Sequence, residues 1–432
     1  MSHMGNRKHI LGVLICLLGA LYYSYEYFLR IAPSVMEHAL REHFDLSATG
    51  FGMLSSSYYY AYVPMQLPVG VLLDRYGPRA LLTLACFVCV AGTFLFTSTD
   101  NFTVAFIGRF LVGFGSSFAF VGVLKLATIW LPEDNLGMVA GITAALGTIG
   151  AMLGDNFLGA LVIQIGWSAT LKMAAYAGLV LMVLLWLGIR NKPANDVSGM
   201  SGTIDNLRTS MRELLVIARK PQIWINCFFG CLVYLPTTVF AELWGIPYLM
   251  NAHGLSEVSA DFANSVLFLG FTIGAPTMGF ISDTLKCRRP PMLIGAFGAA
   301  IVMSMILYAP GLHYIHICSL MFILGLLYSA QCLVFPVSRE SSPVAAAATA
   351  MAFTNMVVML GAMILQPLVG HLLDYSYMLR MRIEGATEVA HKMHKVYTLM
   401  DYQLALSVIP IGILIAGVLV FFLRETYADM QH

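Results

Sequence analysis

Long apolar runs, separated by short polar connections, restrict this chain to folds in which most of it lies in lipid. A helix needs about 20 mostly apolar residues to cross a bilayer, and only helices or closed barrels satisfy the backbone there. The runs are far too long for barrel strands. The simplest partition gives twelve spans, at 10–36, 47–73, 79–98, 102–130, 137–163, 168–189, 222–250, 258–282, 291–309, 314–336, 344–373 and 402–423.

The low content of charged residues agrees with a lipid environment. The 432 residues are 59% hydrophobic and 11% charged, whereas soluble globular domains carry about 25% charged residues. The formal net charge of +1 gives no sign of a nucleic-acid partner. We therefore expect an all-α, multi-pass membrane protein that contacts the bilayer and no nucleic acid.

The residue types that commonly hold metals or cofactors are not spaced for that purpose. Cys86 and Cys89 have CxxC spacing, but they lie in an apolar run with neither a second CxxC nor a nearby histidine, so apolar packing explains them better. The histidines show no metal-ligand spacing, and we find no phosphate-binding loop or nucleophile elbow. We expect no metal, no cofactor and no enzymatic activity, and any energy must come from an ion or solute gradient.

Lysine and arginine are concentrated in alternate connections, which predicts the orientation of the chain. They occur before the first span, between the second and third, in 190–220, and between the eighth and ninth. By the positive-inside rule, these connections and both termini are cytoplasmic. The connection 376–400 disagrees, because it should be external yet carries Arg380, Arg382, Lys392 and Lys395.

The polar stretch 190–220 divides six spans from six, and the two halves carry a repeated motif. We expect an N-terminal bundle at 1–189, a cytoplasmic linker at 190–220 with a short amphipathic helix from about Ile204, and a C-terminal bundle at 221–432. The sequence GVLLDRYGPR at 70–79 follows the second span, and GFISDTLKCRR at 279–289 follows the eighth. Both contain G-x-x-x-D followed by basic residues.

This motif, the six-plus-six arrangement and the sequence GRFLVGFG at 108–115 resemble the major facilitator superfamily of secondary transporters. The resemblance implies two pseudo-symmetric six-helix bundles that work by alternating access in a bacterial inner membrane, with substrate bound near the midplane. The phrase YYYAYVPMQLPVGVLLDRYGPR also resembles a group of nutrient importers of intracellular bacteria, some of which handle amino acids.

The repeated motif predicts a latch between helices. A carboxylate at a helix end can accept bonds from a helix N-terminus or an arginine, and such pairs can break and re-form as the halves rock. Gly70 is expected to let a neighbouring helix approach closely. The predicted gating residues are Gly70, Asp74, Arg75, Arg79, Gly279, Asp283 and Arg288. The alternative is that the basic residues only follow the positive-inside bias.

The fifth span bears on the transport mode. In the family, antiporters often carry a Gly-Pro pair in this helix, whereas this chain has Gly154-Asp155. That departure favours symport or uniport over antiport. The glycines of this span, Gly147, Gly150, Gly154 and Gly159, predict a seam of small residues for close helix packing.

Several ionisable residues lie inside the predicted spans. A charge at the bilayer centre costs about 2.5–3.5 kcal/mol on insertion scales, so such residues face a cavity, find a partner or serve a pathway. The set comprises Glu26, Arg30, Arg109, Lys125, Asp155, Lys172 and Glu242. Lys125 and Lys172 lie close to interfaces, where a long side chain can reach the headgroups.

Glu26, Arg30 and Glu242 predict a binding site for a small solute. Glu26 and Arg30 are four residues apart and share a helix face, and Glu242 occupies the corresponding helix of the second half. Arg30 could hold a carboxylate, while Glu242 or Glu26 could hold an ammonium group. The alternatives are a permanent structural ion pair, an Arg30 that reaches the external headgroups, and a Glu242 that serves as a gate near the outer interface beside Trp244.

Uncharged polar residues and tyrosines predict the remaining walls of this site. Tyr59, Tyr62 and Gln66 share one face of the second span, and a tyrosine offers both an apolar ring and a hydroxyl; an aromatic belt at the interface is the alternative for their neighbours. The substrate-binding set is Arg30, Glu26, Tyr23, Tyr59, Tyr62, Gln66, Glu242, Gln331 and Asn355. Bonding between neighbouring helices is an alternative for Gln331 and Asn355.

The predicted coupling ion is a proton, carried by Glu26, Asp155 or Glu242. Burial and the loss of a partner can change the proton affinity of a carboxylate, so substrate binding can recruit or release a proton. Arg109 belongs to the same set, since we expect it to pair with Asp155 in the outer half of the membrane.

We predict a monomeric, proton-coupled symporter of an amino-acid-like or peptide zwitterion. The family's peptide transporters have a similar charge layout, although their helix-1 motif E-x-x-E-R is absent here. The alternative within transport is a proton-coupled symporter of an organic anion, a carboxylate or a phosphate, with no role for an ammonium group. The alternative of another class is a non-transporting membrane receptor or scaffold.

Overall fold

The fold is a bundle of twelve long helices, seen in a computed structural model. The structure describes residues 2–132, 136–191, 212–343, 346–383 and 397–427, and only the backbone of 2–9, 136 and 137. Within those ranges there is no strand, and eleven helices, some of them built from two or three consecutive segments, are long and apolar enough to cross a membrane. The remaining helix, α2, is broken at Gln66 and Leu67, immediately before Pro68, so the predicted twelve spans are all helical.

The first half contains six of these helices. They are α1 (Ser2–Ile31), α2 (Ala48–Met65 continued by Pro68–Tyr76), α3 (Pro78–Thr97), α4 (Phe102–Ser116 and Ala119–Trp130), α5 (Leu136–Leu153, a π-helical segment Gly154–Leu158, and Gly159–Ile165) and α6 (Trp167–Gly188). A short helix, Glu37–His43, lies between α1 and α2. We expected the first span to reach residue 36, but α1 ends at Ile31, before Pro33.

The second half repeats this arrangement. Its helices are α7 (Pro221–Val233, a π-helical segment Pro236–Trp244, and Gly245–His253), α8 (Glu257–Leu285), α9 (Arg289–Tyr308), α10 (Tyr314–Tyr328, Ser329–Leu333 and Val334–Glu340), α11 (Ala347–Ile383) and α12 (Leu399–Leu406 and Val408–Phe422). Of the predicted linker 190–220, residues 192–211 lie outside the described residues, including Ile204, and 212–218 are helical.

The helix starts follow ordinary capping chemistry. Ser47 accepts the backbone N–H of Gly50 at the start of α2, and Asn101 accepts those of Thr103 and Val104 at the start of α4. A side-chain oxygen at this position satisfies backbone donors that have no partner within the helix. The turn between α2 and α3 is a single residue, Gly77, whose φ of 78° is readily available only to glycine.

The predicted loop 376–400 is wrong in its first part. Helix α11 continues to Ile383, because Arg380 is held in place by an ion pair of 3.1 Å with Asp401 at the start of α12. Arg380 and Arg382 are therefore helical residues. Lys392 and Lys395 lie outside the described residues.

The small-residue seam predicted on α5 faces two different helices. Gly147, Gly150 and Gly154 pack against Tyr23, Ser24 and Ile31 of α1, and Gly159 packs against Asp261 of α8. Close packing through small residues is the usual device between membrane helices. The seam therefore holds α5 to its own half and also to the opposite half.

The bundle has two ends, which we name by their connections. The linker end carries residues 76–78, 188–191, 285–289, 340–343 and 346–347, and the distal end carries 31–48, 253–257 and 397–399. At the distal end, α2 and α11 leave no room for a side chain at Gly52, where a Cβ would lie 2.8 Å from Pro367 Cα. The two halves are thus in tight contact at the distal end.

Candidate functional site

Glu26 and Arg30 form a buried ion pair on α1. One helical turn separates them, so their side chains lie on the same face. Arg30 Nη2 donates to both oxygens of Glu26, at 2.9 and 3.2 Å. Glu26 is 0% exposed and Arg30 is 3% exposed, so both charges must be satisfied inside the protein.

Tyr58 of α2 completes this pair. Its hydroxyl accepts a bond from Arg30 Nε at 3.0 Å and donates one to Glu26 Oε2 at 2.9 Å. The guanidinium also lies over the rings of Tyr27, Tyr58 and Tyr62, with Arg30 Cζ at 4.4, 5.3 and 5.0 Å from the three centroids. These cation–π contacts add to the ion pair. Arg30 therefore points into the protein and does not reach the headgroups.

Glu242 brings a second carboxylate to Arg30 from the opposite half. Its Oε1 lies 3.9 Å from Arg30 Nη1, while Tyr59 donates to Oε2. Within the described part of the chain, Glu242 Oε1 accepts no hydrogen bond although it is buried. Trp244 is also fully buried and donates to the carbonyl of Gln366, so this part of α7 is not at the membrane interface.

Arg109 does not pair with Asp155, and that prediction is wrong. Its Nη1 and Nη2 donate to the carbonyls of Leu29 and Arg30, at 2.9 and 3.2 Å. These carbonyls are available because they belong to the last turn of α1, where carbonyl groups have no backbone N–H partner within the helix. Asp155 instead accepts a bond from Asn264 of α8 at 2.8 Å. The two residues lie at similar depth but face different helices.

Gln66 and Asn355 meet between the two halves. Asn355 Nδ2 donates to Gln66 Oε1 at 2.9 Å. They line a cavity of 520 Å³ toward the linker end, together with Gly70, Asp74 and Lys125. Since Gln66 is one turn from Tyr62 on α2, this hydrogen bond lies between the cavity and Arg30.

The other predicted binding residues are less directly connected to Arg30. Tyr23 packs its ring against Tyr27 at 5.9 Å and Phe120 at 5.3 Å, so it supports a ring that contacts Arg30. Gln331 is buried in the Ser329–Leu333 segment of α10. Among the described residues it forms no hydrogen bond with the charged cluster.

The gating residues of the first half pair within that half. Asp74 forms an ion pair of 2.6 Å with Lys125 of α4, so Lys125 does not extend to the headgroups. Arg79 Nε donates to the Trp186 carbonyl at 2.8 Å, and Arg75 is exposed beside the ring of Tyr76. A latch between the halves is not made by these residues in this conformation.

The corresponding residues of the second half behave in the same way. Arg288 pairs with Asp283 at 2.8 Å and with Glu340 of α10 at 2.7 Å. Burial lowers the pKa of Arg288, but the bonds to Glu340 and Asp283 outweigh burial and raise that pKa above its ordinary value. The close helix approach predicted at Gly70 is wrong in this conformation, because nothing lies within 4 Å of a Cβ placed there, and the same is true of Gly279.

Replacing Lys125 with glutamine is expected to change stability by less than about 1 kcal/mol, because exposed ion pairs contribute little. The side chains of Lys125 and Asp74 are 35% and 51% exposed. The thermal unfolding midpoint in detergent, compared with that of Asp74→Asn, checks this. A large fall in the midpoint would show that the pair holds the first half together.

At the distal end, a hydrogen-bonded cluster joins the halves, and we call it the distal clasp: Thr49, Asp374, Tyr397 and Arg41. Asp374 Oδ2 accepts from the backbone and hydroxyl of Thr49 at 2.9 and 2.7 Å. Tyr397 donates to Asp374 Oδ1 at 2.7 Å and accepts from Arg41 at 3.3 Å. A carboxylate at the N-terminus of α2 is favourably placed for the helix dipole.

Sequence reasoning missed several of these residues. The hydroxyls of Tyr27 and Tyr234 are 3.2 Å apart across the halves, and Thr237 donates to Tyr328 at 2.7 Å. Tyr27 lies three residues before Arg30, so helical spacing placed both on one face, but nothing in the sequence indicated that Tyr27 would meet Tyr234 of the opposite half. In the part of the chain that the structure describes, no group of three or more histidine, cysteine or acidic residues could hold a metal ion.

Comparison with known proteins identifies a family and relatives that cover about two thirds or more of the chain. Residues 14–367 match the family model described as Major Facilitator Superfamily. A probable galactarate/D-glucarate transporter of Escherichia coli (strain K12) is 26% identical over 309 residues, which cover 66% of this chain and 68% of the relative. A membrane sensor protein, UhpC, of the same strain is 24% identical over 376 residues, covering 82% and 83%.

Solved structures with the same fold are more distant in sequence. A bacterial homologue of the human lysosomal transporter Spinster, in an inward-facing and unoccupied conformation, has a TM-score of 0.78 at 17% identity and covers 95% of this chain and 96% of that one. A D-xylose–proton symporter has a TM-score of 0.71 at 15% identity, with coverage of 97% and 99%. These similarities establish a common fold.

Proposed function

This chain belongs to the major facilitator superfamily, and we propose that it is a secondary transporter that carries a small organic anion together with protons. It is an integral, multi-pass membrane protein. The proposal includes two bundles, 1–189 and 221–432, joined by the linker 190–220, with both termini and the linker end in the cytoplasm of a bacterium. The lysine and arginine distribution supports that orientation.

The asymmetry between the two ends supports alternating access. At the distal end the halves are joined by the distal clasp and by the close approach of Gly52 to Pro367. At the linker end the motif charges pair within their own halves, and a cavity of 520 Å³ lies between α2, α4, α5, α10 and α11. A conformation closed at one end and open at the other is what the mechanism requires.

The observation that carries the proposal is that Arg30 faces two carboxylates, one of them incompletely satisfied. Glu26 accepts bonds from Arg30 and Tyr58, whereas Glu242 Oε1 lies 3.9 Å from Arg30 Nη1 with no hydrogen-bond donor in the described chain. A buried charge with an unfilled acceptor is expensive to maintain. Glu242 is therefore the carboxylate that can most easily give up its interaction with Arg30.

Proton coupling follows from the charges in this cluster. Glu26 and Glu242 balance Arg30 and Arg109, so the buried cluster is neutral when all four are ionised. A proton on Glu242 removes its charge and leaves Arg30 Nη1 without a counter-ion. A carboxylate of the substrate can then take that position, since arginine binds carboxylates with charge-assisted bonds. A monovalent anion and one proton enter together, and no net charge is buried; a dicarboxylate needs a second proton for the same balance.

Relatives favour an anion that also carries hydroxyl groups. The relatives of this chain include a probable galactarate/D-glucarate transporter and a probable L-galactonate transporter of Escherichia coli, and a hexuronate transporter of Bacillus subtilis. Each of these solutes combines one or two carboxylates with several hydroxyls. Around Arg30, the hydroxyls of Tyr59, Tyr62 and Tyr234 and the amide of Gln66 offer suitable partners for hydroxyl groups. We therefore place a sugar acid ahead of the zwitterion.

A zwitterion remains a second candidate because Glu242 lies opposite Arg30 and could hold an ammonium group. Uptake into proteoliposomes decides between the two candidates. The sugar acids tested are D-glucarate, galactarate and L-galactonate, and the zwitterions are alanine and a dialanine peptide. D-Xylose is the neutral comparison. The expected result is uptake of a sugar acid that is accelerated by an inward proton gradient. Uptake of the zwitterions alone would overturn the anion proposal, and no uptake of any solute would favour a sensor.

Glu242→Gln is expected to abolish accumulation against a gradient while exchange of labelled for unlabelled anion continues. Glutamine is close to a protonated glutamate in shape, so it keeps Arg30 available for the anion but cannot release a proton. The measurement is the ratio of internal to external anion under an imposed pH difference, with Glu213→Gln near the linker as the matched control. If the variant accumulates anion as the unmodified protein does, Glu242 does not carry the coupling proton.

A further inference from the structure

A second group of buried carboxylates lies outside the charged cluster around Arg30, where α5 meets α8. Asp155 is 0% exposed, Asn264 is 0% exposed and Asp261 is 2% exposed. Asp155 and Gly159 occupy one face of α5, and Asp261 and Asn264 occupy one face of α8. Asn264 Nδ2 donates to Asp155 Oδ2 at 2.8 Å, and Asp261 Oδ2 contacts Gly159. We call these three polar residues the seam site.

The carboxylates of the seam site have unfilled acceptors and no counter-ion. Asp155 Oδ1, Asp261 Oδ1 and Asn264 Oδ1 are all buried and accept no hydrogen bond from the described residues. Among those residues, no lysine or arginine forms an ion pair with either aspartate. Two like charges cannot both remain ionised in a dry site, so this conformation requires something positive there.

The seam site is joined to the charged cluster through the backbone of α7. Asn264 Nδ2 also donates to the carbonyl of Ala241 at 3.0 Å, and Ala241 directly precedes Glu242. Asp155 and Ala241 both belong to π-helical segments, Gly154–Leu158 and Pro236–Trp244, and such segments are frequent at functional sites. One asparagine therefore connects the irregular segments of both halves.

A recess in the distal surface lies close to the seam site. A recess of 400 Å³ at the distal end is lined by residues that include Glu37, His38 and Glu257. Glu257 is one turn before Asp261 on α8, and so lies between the recess and the seam site. Other titratable and charged groups lie on the elements packed around Asp155 and Asp261. They are Glu257 on α8, Glu37 and His38 at the recess, Glu242 on α7, and Glu26 and Arg30 on α1.

We propose that Asp155 and Asp261 form a second proton-binding site, which holds one proton while the distal end is closed and releases it when α5 and α8 separate. Asn264 donates to Asp155, which favours the ionised form there, so Asp261 holds the proton when the seam is closed. When the seam opens, water solvates both carboxylates and the proton leaves through the recess. A proton is the smallest cation that removes one of two like charges. This inference does not depend on which solute the charged cluster binds.

The consequence is a pH-dependent equilibrium between closed and open distal ends. Where opening releases one proton, the ratio of open to closed molecules rises about tenfold for each unit of pH. If opening took up a proton instead, the ratio of open to closed molecules would fall as the pH rises. In a protein that lacks Asp155 and Asp261, the equilibrium between closed and open distal ends loses this pH dependence, even though the charged cluster around Arg30 is intact.

The test is a distance measurement between spin labels at the distal ends of the two helices. Labels are attached to Ile165→Cys and Val258→Cys, which are 44% and 63% exposed, after the partly exposed Cys287 and Cys332 are replaced by serine. The populations of short and long distances are recorded in the full-length protein, without solute, from pH 5 to pH 8, in potassium and in sodium buffers of equal strength.

We expect the open population to rise with pH in both buffers, and Asp155→Asn and Asp261→Asn each to flatten the profile. Asp100→Asn is the matched control, because that distal side chain is 94% exposed. An open population that does not change with pH in the unmodified protein overturns the proposal. This outcome can be read without any variant, so it does not depend on whether the variants fold. A profile that persists in both variants, or one set by sodium concentration, also overturns it. Loss of solute uptake with an intact profile would instead count against the proposed function.

Discussion

Arg30→Gln is expected to lower kcat/KM for anion uptake by at least about 30-fold, because removing one partner of a buried, hydrogen-bonded charge pair costs about 2–5 kcal/mol and 1.36 kcal/mol corresponds to tenfold. Arg30 is the side chain that meets Glu26, Tyr58 and Glu242 together. Arg30→Lys keeps the charge but loses the Nε donor to Tyr58, and we expect it to lose about tenfold. Initial rates of sugar-acid uptake into proteoliposomes measure both effects.

The controls for this prediction separate binding from folding. Arg30→Gln leaves Glu26 buried without its counter-charge, which can destabilise the protein by itself. The double variant Glu26→Gln with Arg30→Gln removes both partners, which is far less costly than removing one. We expect the double variant to fold and still not transport. Lys172→Gln removes a cation elsewhere in the first half and should leave uptake unchanged; normal uptake by the double variant would contradict the role of Arg30.

Asp374→Ala is expected to open the distal end. The substitution removes the acceptor of Thr49 N–H, the Thr49 hydroxyl and the Tyr397 hydroxyl. Hydrogen bonds to a charged group contribute about 1.5–3 kcal/mol each, so the loss favours the open conformation by about tenfold or more. Alkylation of Phe51→Cys by a reagent that does not cross membranes measures it, since Phe51 is 0% exposed and packs against Trp244 at 5.5 Å.

The rate of alkylation should rise in a graded series. Tyr397→Phe removes one of the donors to Asp374 and should give a smaller rise than Asp374→Ala. Glu42→Gln, a change on the same surface in a side chain that is 61% exposed, should give none. Equal rates in all variants would mean that the distal clasp does not hold the closed conformation, and that helix packing at Gly52 does.

The helices and the ion pair on α1 could be predicted from sequence because they depend on local spacing. Apolar runs of sufficient length dictate the spans, and a separation of four residues puts Glu26 and Arg30 on one face. Where the sequence lacks a local rule, the predictions failed. Arg109 and Asp155 lie at similar depth, yet helix rotation directs Arg109 to the carbonyls of α1 and Asp155 to Asn264.

The residues that join the halves could not be predicted, because their partners are hundreds of positions away. Thr49 and Asp374 meet at the distal end, and Asp374 lies just beyond the predicted end of its span at 373. The position of the distal clasp depends on the crossing of α2 and α11. The gating motif was recognisable, but its pairing depends on which end is closed. Hydropathy contains no information about that choice.

The π-helical segments give the chain an uneven tolerance to mutation. Each residue added to or removed from a helix rotates everything beyond it by about 100°. Deleting a single residue between Pro236 and Trp244 would restore ordinary helix geometry and leave the turns on either side close to their present orientation, because a π-helical turn holds about one residue more than an α-helical turn. Homologous sequences should therefore tolerate the loss of one residue in this segment more readily than in the α-helical parts of the same helix, where a deletion would turn every later side chain away from its present neighbours.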